Sequence, residues 1–371
     1  KSVIRRKIMD ELVNTVQSMS KSTNDIDIKL PIVFPPPIYY ALFAADKLAI
    51  IMNNPSAMNW IYNNFIQLVF YSDNLENIDP HTHYLSIWPI DLMKIDQRGG
   101  NLFLREHIIN NNIMELNKEN LVDCIKMWID QGLYIIANID STKISKTRYF
   151  GRKPFCHSAF IFGYNEIGIY QVDFLNSGQL DIINVPYEEL IEAFFSPELP
   201  NIFRTEKNME VDYNITLIQL RDNIKCDLNG EVIKFWIEEY LQARTIQTHN
   251  NFFVQYENTV SGTKIYDCMI KMVKKMKEDN ELDYRMFHAL YEHKSIMVKR
   301  VEELMNQGLI SSDEVLVSEA EEIEKISDIC RMMVLKYNIL PRDDMLEELE
   351  RNLLELKDKE IIFLTKLRDK L

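Results

Sequence analysis

One short segment of the chain combines the three side-chain types of a thiol-based acyl-transfer site. In PFCHSAFIFGYNEIGIYQVDF, residues 154–174, Cys156 directly precedes His157, and Asp173 lies near the end. In such sites a thiolate attacks the acyl carbonyl, an imidazole moves protons, and a carboxylate orients the imidazole. The segment therefore raises the hypothesis of an active site, with Cys156 as a candidate nucleophile.

The pattern of this segment predicts a β-hairpin that carries His157 and Asp173 on one face. Apolar and polar residues alternate on both sides of the turn sequence YNEIG. If the turn centres on Asn165, His157 lies directly opposite Asp173, and such Cβ atoms are about 4.5–5.5 Å apart. That spacing suits a carboxylate–imidazole hydrogen bond, which would stabilise the charged imidazole. The alternative is a polar cross-strand pair without any chemistry.

Strand alternation argues against Cys156 as the nucleophile that His157 activates. Adjacent residues of a strand point to opposite faces of the sheet. If His157 faces a cleft, Cys156 therefore faces away from it. The favoured interpretation of Cys156 is a buried thiol with a packing role.

Strands and helices must position these groups, and the sequence around the hairpin predicts both. Hydrophobic periodicity, proline position and turn residues define the elements. The expected helices are 38–52, with Pro37 in the first turn, then 56–71, 118–132 and 187–195; the expected strands beside the hairpin are 133–140 and 179–186.

The chain changes character after about residue 262, where glycine and proline become rare and apolar residues recur at helical spacing. Ser312 and Asp313 suit the start of one long helix. In the last helix, a narrow leucine stripe predicts packing on a partner helix, within the chain or in a homodimer. We divide the sequence into an N-terminal helix, 1–25, a core domain, 26–260, and a helical C-terminal domain, 261–371.

Composition restricts the classes of partner and cofactor. The formal net charge of −14 argues against nucleic acid or an anionic membrane as the main partner. No stretch has the apolar length of a membrane span. The five cysteines include no CxxC pair, as expected for reduced thiols in a cytoplasmic protein. The motifs for phosphate, dinucleotide or metal binding are missing, so we expect no cofactor and no metal.

Two parts of the chain resemble a known family. HSAFIFGYNEIGIYQVDF, followed by INVPYEELIEAF, resembles the histidine–aspartate half of papain-like enzymes of the bacteriocin-processing peptidase type, and within them the butirosin-biosynthesis protein H group. LDYRMFHALYEHKSIMVKRVEELMNQGLI and the later VLKY resemble the helical extension of that group. The resemblance covers most of the chain from about residue 30. It implies an α+β fold, in which a papain-like core of helical and antiparallel-sheet lobes precedes an all-helical extension.

The resemblance also implies a function. Members of the group are similar to acyltransferases that move an acyl group from a carrier-protein thioester to an amine in natural-product biosynthesis. By this resemblance His157 is the general base and Asp173 orients it, while Asp140, Pro36 and Tyr39 contact the substrate. The implied partner is an acyl or peptidyl carrier protein, or a synthetase, that presents a small-molecule intermediate.

The sequence departs from the family at the nucleophile. The family's cysteine opens the first core helix, where the helix N-terminus lowers the thiol pKa. Here that position falls among three prolines, residues 35–37, and neither serine nor threonine replaces the cysteine. One hypothesis is an acyltransferase, cyclase or hydrolase of nonribosomal-peptide or polyketide biosynthesis, in which the substrate's own amine or water attacks. The other is a cysteine-less pseudoenzyme that serves a synthetase as a binding or scaffold subunit.

Overall fold

A computed structural model gives the structure of the protein. It describes residues 26–72, 83–88, 101–109, 116–199, 215–244, 247–249, 252–254, 259–276 and 282–371. The predicted N-terminal helix, 1–25, lies outside the described residues. Helices and antiparallel strands are both abundant in the described part, which confirms the α+β class.

The helices are numbered here in chain order. They are α1 (Leu42–Ile51), α2 (Ala57–Asn64), α3 (Leu121–Asp130), α4 (Tyr187–Phe194), α5 (Gly230–Leu241), α6 (Ile265–Met276), α7 (Tyr284–Asn306), α8 (Glu314–Ile339) and α9 (Asp343–Lys370). None of the described helices combines the length and the apolar character that crossing a membrane requires.

The strands form three sheets in the described residues. They are β1 (Asp27–Lys29), β2 (Gln67–Ser72), β3 (His83–Trp88), β4 (Leu104–Ile109), β5 (Tyr134–Asp140), β6 (Cys156–Asn165), β7 (Gly168–Phe174), β8 (Leu180–Pro186), β9 (Ile215–Leu220), β10 (Gln247–His249), β11 (Phe252–Val254) and β12 (Thr259–Ser261). The largest sheet has the order β4-β9-β5-β6-β7-β8, with β1 beside β6; the others are β12-β2-β3 and β10-β11.

The chain divides into two compact units, each made of separate segments. The described residues of 1–30 and 108–217 form the first unit, and those of 31–107 and 218–371 form the second. This division follows compactness, whereas the predicted boundaries at 26–260 and 261–371 follow composition. Those boundaries remain a prediction.

The first unit contains the predicted hairpin and the apolar faces of two helices. Strands β6 and β7 pair antiparallel, and so do β5 with β6 and β7 with β8. Alternate strand residues such as Ile135, Ala137 and Ile161 pack with Trp128 of α3 and Leu190 of α4 in one buried core. The period of two along the strands and of three to four along the helices explains why these faces meet.

Helix α3 ends at Asp130, two residues before Gly132, the last residue of the predicted range 118–132. Gly132 has a φ of 78°, in the left-handed region that glycine enters without steric cost. Its N–H bonds to the carbonyl of Ile129, and the N–H of Leu133 bonds to that of Trp128. These bonds satisfy carbonyl groups at the helix C-terminus and turn the chain into β5.

The second unit packs the three long helices with shorter elements. Helix α8 packs against α7 and α9, while α9 also packs against α5 and α6. Asp313 accepts a hydrogen bond from the N–H of Leu316 at 3.0 Å, which confirms the predicted cap of α8. The leucine stripe of α9 is buried within the chain, at positions Leu346, Leu349, Leu353 and Leu356. The stripe was predicted to pack on a helix of the same chain or of a second copy, and in the structure it packs within the chain.

Two predicted helices have different bounds in the structure. Helix α1 begins at Leu42 rather than near residue 38, because Ala41 is extended, with φ −145° and ψ 141°. Helix α2 ends at Asn64, and the remainder of the predicted helix forms strand β2. β2 pairs with both β3 and β12, so its aromatic and β-branched residues lie in a small sheet.

Two buried side chains of α7, the Arg300 guanidinium and the His293 imidazole, stabilise the end of α2. Arg300 donates from Nε to the carbonyl of Tyr62 at 2.6 Å and from Nη2 to that of Phe65 at 2.7 Å. Nε2 of His293 lies 2.7 Å from the carbonyl oxygen of Ile66. The carbonyls of Tyr62 and Phe65 lack partners within the helix, and the positive charge of Arg300 near a helix C-terminus is favourable.

Candidate functional site

His157 lies at the start of β6, where the pairing with β5 is regular. Ile139 pairs with His157, and Asp140 pairs with Cys156. Cross-strand partners share a face, so His157 lies on the same face as Ile139, which belongs to the buried core. Cys156, the next residue along the strand, lies on the opposite face. The alternation argument from the sequence thus agrees with the register.

The register between β6 and β7 differs from the prediction. Phe160 pairs with Val172, and the pairing shifts by one residue between Ile161 and Gly163. A bulge of this kind adds one residue to one strand and bends it. The pair Tyr164–Ile169 centres the hairpin between Glu166 and Ile167, and beyond the bulge the centre is Glu166, one residue later than the predicted Asn165.

Asp173 lies just beyond the paired part of the hairpin. The pairing of β6 with β7 ends at Phe160 and Val172, and beyond it the loop before β6 pairs with the end of β7. Strand alternation still places Asp173 on the same face as His157, since the cross-strand pair Ile161–Gln171 belongs to that face. The predicted direct opposition is wrong, but a shift of two positions keeps both side chains on one face. The adjacent-strand placement is as expected.

The Asp173 carboxylate is fully buried and held by its own strand. Its Oδ2 accepts a hydrogen bond from Nε2 of Gln171 at 2.8 Å, and its Oδ1 accepts one from the N–H of Phe174 at 2.7 Å. Burial raises the pKa of Asp173 to about 6, while these two hydrogen bonds and the charge of Arg148 oppose the rise. A carboxyl group with this pKa exchanges its proton near neutral pH.

Aromatic rings surround the His157 imidazole. The ring of Tyr149 and the ring of Phe155 each lie 5.5 Å from it, centroid to centroid. Tyr149 stacks on Phe155 at 4.5 Å, and Arg148 lies 4.8 Å above the Tyr149 ring and 5.1 Å above that of Phe174. Arg148 also donates to the Tyr149 hydroxyl. The His157 imidazole therefore packs beside two stacked aromatic rings, and the Arg148 guanidinium is close enough to act on the charge of Asp173.

Three of these residues were missed in the sequence. Gln171 precedes Asp173 by two positions, so strand alternation alone would have placed both on one face. Arg148 and Tyr149 belong to a loop, and no periodic signal fixes the direction of loop side chains. Only the tertiary structure brings them to the strand.

Asp140 is a buried structural group in this geometry. Its Oδ1 accepts bonds from the N–H and the hydroxyl of Thr142, at 3.1 and 2.6 Å, and its Oδ2 accepts one from Ser196 at 2.8 Å. Burial alone would raise its pKa, but the bonds from Thr142, Ser196 and the Phe155 backbone lower it. Both oxygens are thus engaged at the end of β5, and the substrate contact of Asp140 remains a prediction.

The other two predicted substrate contacts, Pro36 and Tyr39, belong to the second unit. Pro36 is buried and Tyr39 is half-buried. The N–H groups of Tyr39 and Tyr40 donate to the two oxygens of Glu292 in α7, at 2.9 and 3.1 Å. One buried carboxylate therefore holds the irregular segment that leads into α1.

The Glu292 carboxylate also forms a pair with a histidine, His288. Nε2 of His288 lies 3.3 Å from Oε1 of Glu292, and Nδ1 lies 3.4 Å from Nη1 of Arg331. Since a guanidinium only donates, Nδ1 accepts, and the proton sits on Nε2 facing the carboxylate. The rings of Tyr39 and Tyr284 pack on the same imidazole at 5.0 and 5.5 Å. All polar atoms of this imidazole contact groups of the chain itself, which indicates a positioning role.

The cysteines lie in different environments. Cys156 is half-buried rather than buried, as are Cys124 and Cys226. Cys268 and Cys330 are buried, and burial raises their thiol pKa values to about 11 and about 12. Within the described residues, histidine, cysteine and carboxylate side chains form no cluster of three suited to a metal ion.

Comparison with known proteins gives no assignment. No protein-family model matches the chain, and no curated protein matches it.

Proposed function

We propose that this protein is a papain-like-fold acyltransferase, cyclase or hydrolase that acts on a carrier-protein-bound intermediate in natural-product biosynthesis. His157 is the general base and Asp173 is the group that orients it. The observation that carries the proposal is the placement of both side chains on one face of adjacent strands, with the carboxylate buried.

The buried carboxylate supports the proposed role of His157. A negative charge that water does not screen stabilises the imidazolium formed when the base takes a proton. Since the pKa of Asp173 is raised to about 6, this charge is present at neutral pH and is lost in mild acid. Gln171 fixes the carboxylate through Oδ2. Because Asp173 is not directly opposite His157, its proposed action on the imidazole is electrostatic.

The proposed reaction uses the nucleophile of the substrate. His157 takes a proton from an attacking amine or water, and the new bond to the thioester carbonyl gives a tetrahedral intermediate. Collapse of the intermediate breaks the carbon–sulfur bond, and the imidazolium returns the proton to the departing thiolate. An amide or a carboxylic acid forms, and the carrier's thiol is released. General-base catalysis of this type contributes about 10²–10⁴-fold.

A substrate nucleophile is proposed because no cysteine suits the task. The segment that begins the first core helix of similar enzymes contains only prolines here, at 35–37. Cys156 lies on the opposite face from His157. The proposal therefore needs no cysteine nucleophile. It also assigns the protein to the cytoplasm, where the thiols of its five cysteines stay reduced.

The test is thiol release from an acylated carrier protein. The purified chain is incubated with an acyl-carrier thioester and a primary amine, and free thiol is followed with a chromogenic reagent. Release above background is expected to fall by about 10²-fold or more in His157→Ala. Cys156→Ser is expected to keep nearly full activity. Ser158→Ala, on the same strand but the opposite face, is the matched control.

Three outcomes would contradict the enzyme proposal or one of its assigned roles. The enzyme proposal would be wrong if the wild-type protein released thiol only at the background rate with every thioester and amine tested. Equal activity of wild type and His157→Ala would remove His157 as the base. Loss of activity after alkylation or substitution of Cys156 alone would show that the adjacent Cys–His couple is the true site.

The alternative function is a cysteine-less pseudoenzyme that serves a biosynthetic synthetase as a binding or scaffold subunit. The observation that favours it is the missing nucleophile. In that case His157→Ala leaves carrier or synthetase binding and pathway output unchanged, whereas the enzyme requires His157 for product formation. Measuring both product and binding with the same variant separates the two functions.

A further inference from the structure

One loop of the first unit is strongly basic in a chain that is acidic overall. The basic loop, residues 143–153, has the sequence KISKTRYFGRK and carries five cations and no carboxylate. The nearest acidic residues along the chain are Asp140 and Glu166. The whole chain, in contrast, has a formal net charge of −14. The loop is therefore a local positive patch.

Two of the five cations are engaged and three project into solvent. Lys146 donates to the carbonyl of Asn184 at 3.0 Å, and Arg148 packs on the rings of Tyr149 and Phe174. The three exposed cations are Lys143, Arg152 and Lys153. In the described part of the chain, none of the three forms an ion pair with a carboxylate. Glu189 accepts hydrogen bonds from the N–H and the hydroxyl of Ser145, so its carboxylate is engaged by the loop backbone and a neutral side chain.

The backbone of the basic loop is fixed. The Thr147 hydroxyl donates to the carbonyls of Ser141 and Ile144, at 3.0 and 3.2 Å. The N–H of Gly151 bonds to the carbonyl of Thr142 at 3.1 Å, and Thr147 forms a bridge with Leu175. The exposed cations consequently project from an ordered turn, which lowers the entropy cost of binding a ligand.

An exposed aromatic side chain lies among these cations. The Phe150 side chain is 54% exposed, between Arg148 and Arg152 in the sequence. Aromatic residues and arginine are the types enriched in the centres of protein–protein interfaces. Phe150 supplies an apolar contact, and the exposed cations beside it supply positive charge. A complementary partner surface would therefore have an apolar side chain surrounded by carboxylates.

We propose that the basic loop is a docking surface for an acidic segment of a partner protein. Lys143, Arg152 and Lys153 bind its carboxylates, and Phe150 packs on an apolar residue between them. A protein segment fits better than nucleic acid because the positive patch is short, and a longer polyanion would meet the negative charge of the rest of the chain. The proposal is independent of the chemistry of His157, since docking needs no thioester.

The test uses a fluorescein-labelled helical peptide of glutamate and leucine, read by fluorescence anisotropy. The peptide is expected to bind the full chain, and to bind more weakly as NaCl rises from about 50 to about 300 mM, because salt screens exposed charges. The variant K143E/R152E/K153E is expected to weaken binding by about tenfold or more. F150A is expected to weaken binding while leaving the salt dependence unchanged.

A matched variant separates local from overall charge. K225E/K299E/K325E changes three exposed lysines of the second unit and alters the net charge by the same amount. Its peptide affinity is expected to change less than about twofold, because charges beyond a Debye length of about 8 Å are screened at physiological salt. Circular dichroism confirms that each variant is folded.

Three outcomes would overturn the proposal. The first is no peptide binding at low salt, and the second is an equal loss of affinity in both triple variants. The third is competition of the labelled peptide by single-stranded DNA or by inorganic phosphate at lower concentration than by unlabelled peptide, which would make the loop a site for those anions instead. None of these outcomes depends on thiol release, so failure of the proposed function would be distinguishable.

Discussion

The Asp173 carboxyl group illustrates how burial sets the chemistry of a single residue. The side chain is excluded from solvent, and two hydrogen bonds compensate only part of the lost hydration. Burial therefore raises its pKa to about 6, and the bonds from Phe174 and Gln171 limit the rise. A free exposed carboxyl group has no comparable proton exchange near neutral pH.

Titration of Asp173 predicts a specific dependence of stability on pH. Because the folded-state pKa is about 6 and the ordinary value is 3.8, the folded protein binds this proton more tightly than the unfolded chain. The resulting stabilisation is present below about pH 4 and is lost as the pH rises through 6, at most about 3 kcal/mol. Asp173→Asn, which does not titrate, should gain stability relative to wild type between pH 4 and 7.

Urea unfolding at a series of pH values measures this difference. Asp222→Asn, which removes an exposed carboxylate of the second unit, is the control. Parallel stability curves for wild type and Asp173→Asn would show that the buried carboxyl group titrates as it does in the unfolded chain.

The thiols provide a second residue-scale prediction. Brief iodoacetamide treatment should label Cys268 and Cys330 most slowly, because burial blocks access and raises their pKa values to about 11 and about 12. Mass spectrometry of the digested protein gives the order of labelling. Labelling of half-buried Cys156 should leave function intact, since it lies on the face opposite His157. Rapid labelling of Cys330 would contradict the buried environment.

At the scale of elements, α7 connects much of the second unit through charged side chains. Lys294 of α7 forms a fully buried ion pair with Glu360 of α9. The hydroxyl groups of Tyr240 and Tyr266 donate to the same carboxylate, at 2.9 and 2.6 Å. Nδ1 of His293 lies 3.1 Å from the Lys294 ammonium, and burial is the main cause of the lowered pKa of His293. Four elements therefore meet at one polar group.

This network predicts strong coupling between α7 and α9. Lys294→Met should lower the free energy of unfolding by about 3–5 kcal/mol, because it leaves the Glu360 carboxylate buried without its cation. Lys294→Met combined with Glu360→Gln should recover a clear part of that loss, since the amide oxygen still accepts from both tyrosines. Urea unfolding of both singles and the double gives the coupling energy. Additivity within about 0.5 kcal/mol would contradict a direct interaction.

Elements with a clear period were predictable, and elements fixed by distant partners were not. The hairpin, β5, β8, α3 and α4 follow from alternation or helical spacing, since each packs one regular face on a core. The apolar segment 56–71 lacks a clear period, and a continuous apolar run is compatible with a buried helix as well as with a buried strand. Its division at residue 65 depends on Arg300 and His293, far along the chain.

The same distinction applies to the candidate site. The sequence correctly predicted that His157 and Asp173 lie on one face of adjacent strands. A register error of two residues does not change the face on which a side chain lies. Their direct opposition failed because the turn is centred between Glu166 and Ile167 rather than on Asn165, and several residues of YNEIG suit a turn. The Glu292 anchor of Tyr39 was not found, since nothing in the sequence near residue 39 indicates a carboxylate from α7.

For the whole molecule, the internal leucine stripe predicts a monomer. The stripe of α9 is covered by other helices of the same chain, so the reason to expect a homodimer is removed. Light scattering of the intact chain should give the monomer mass at high micromolar concentration. A stable dimer at low micromolar concentration would show that another surface associates.

A truncation to residues 1–260 tests the same feature from the other side. The second unit includes segments on both sides of residue 260, and fully buried Tyr240 bonds to Glu360. Removing 261–371 should expose that core and cause aggregation or loss of helical signal in circular dichroism. A folded, monomeric 1–260 fragment would instead support the boundary predicted from composition.

The Glu292 anchor has a consequence for synthesis on the ribosome. The carboxylate that binds the Tyr39 N–H is 253 residues further along the chain. At about 5–20 residues per second, roughly 10–50 s pass between the emergence of the two groups. The apolar α1 that follows Tyr40 must stay unaggregated during that interval, so we expect chaperone contact with the nascent chain to begin there and to end once α7 has emerged.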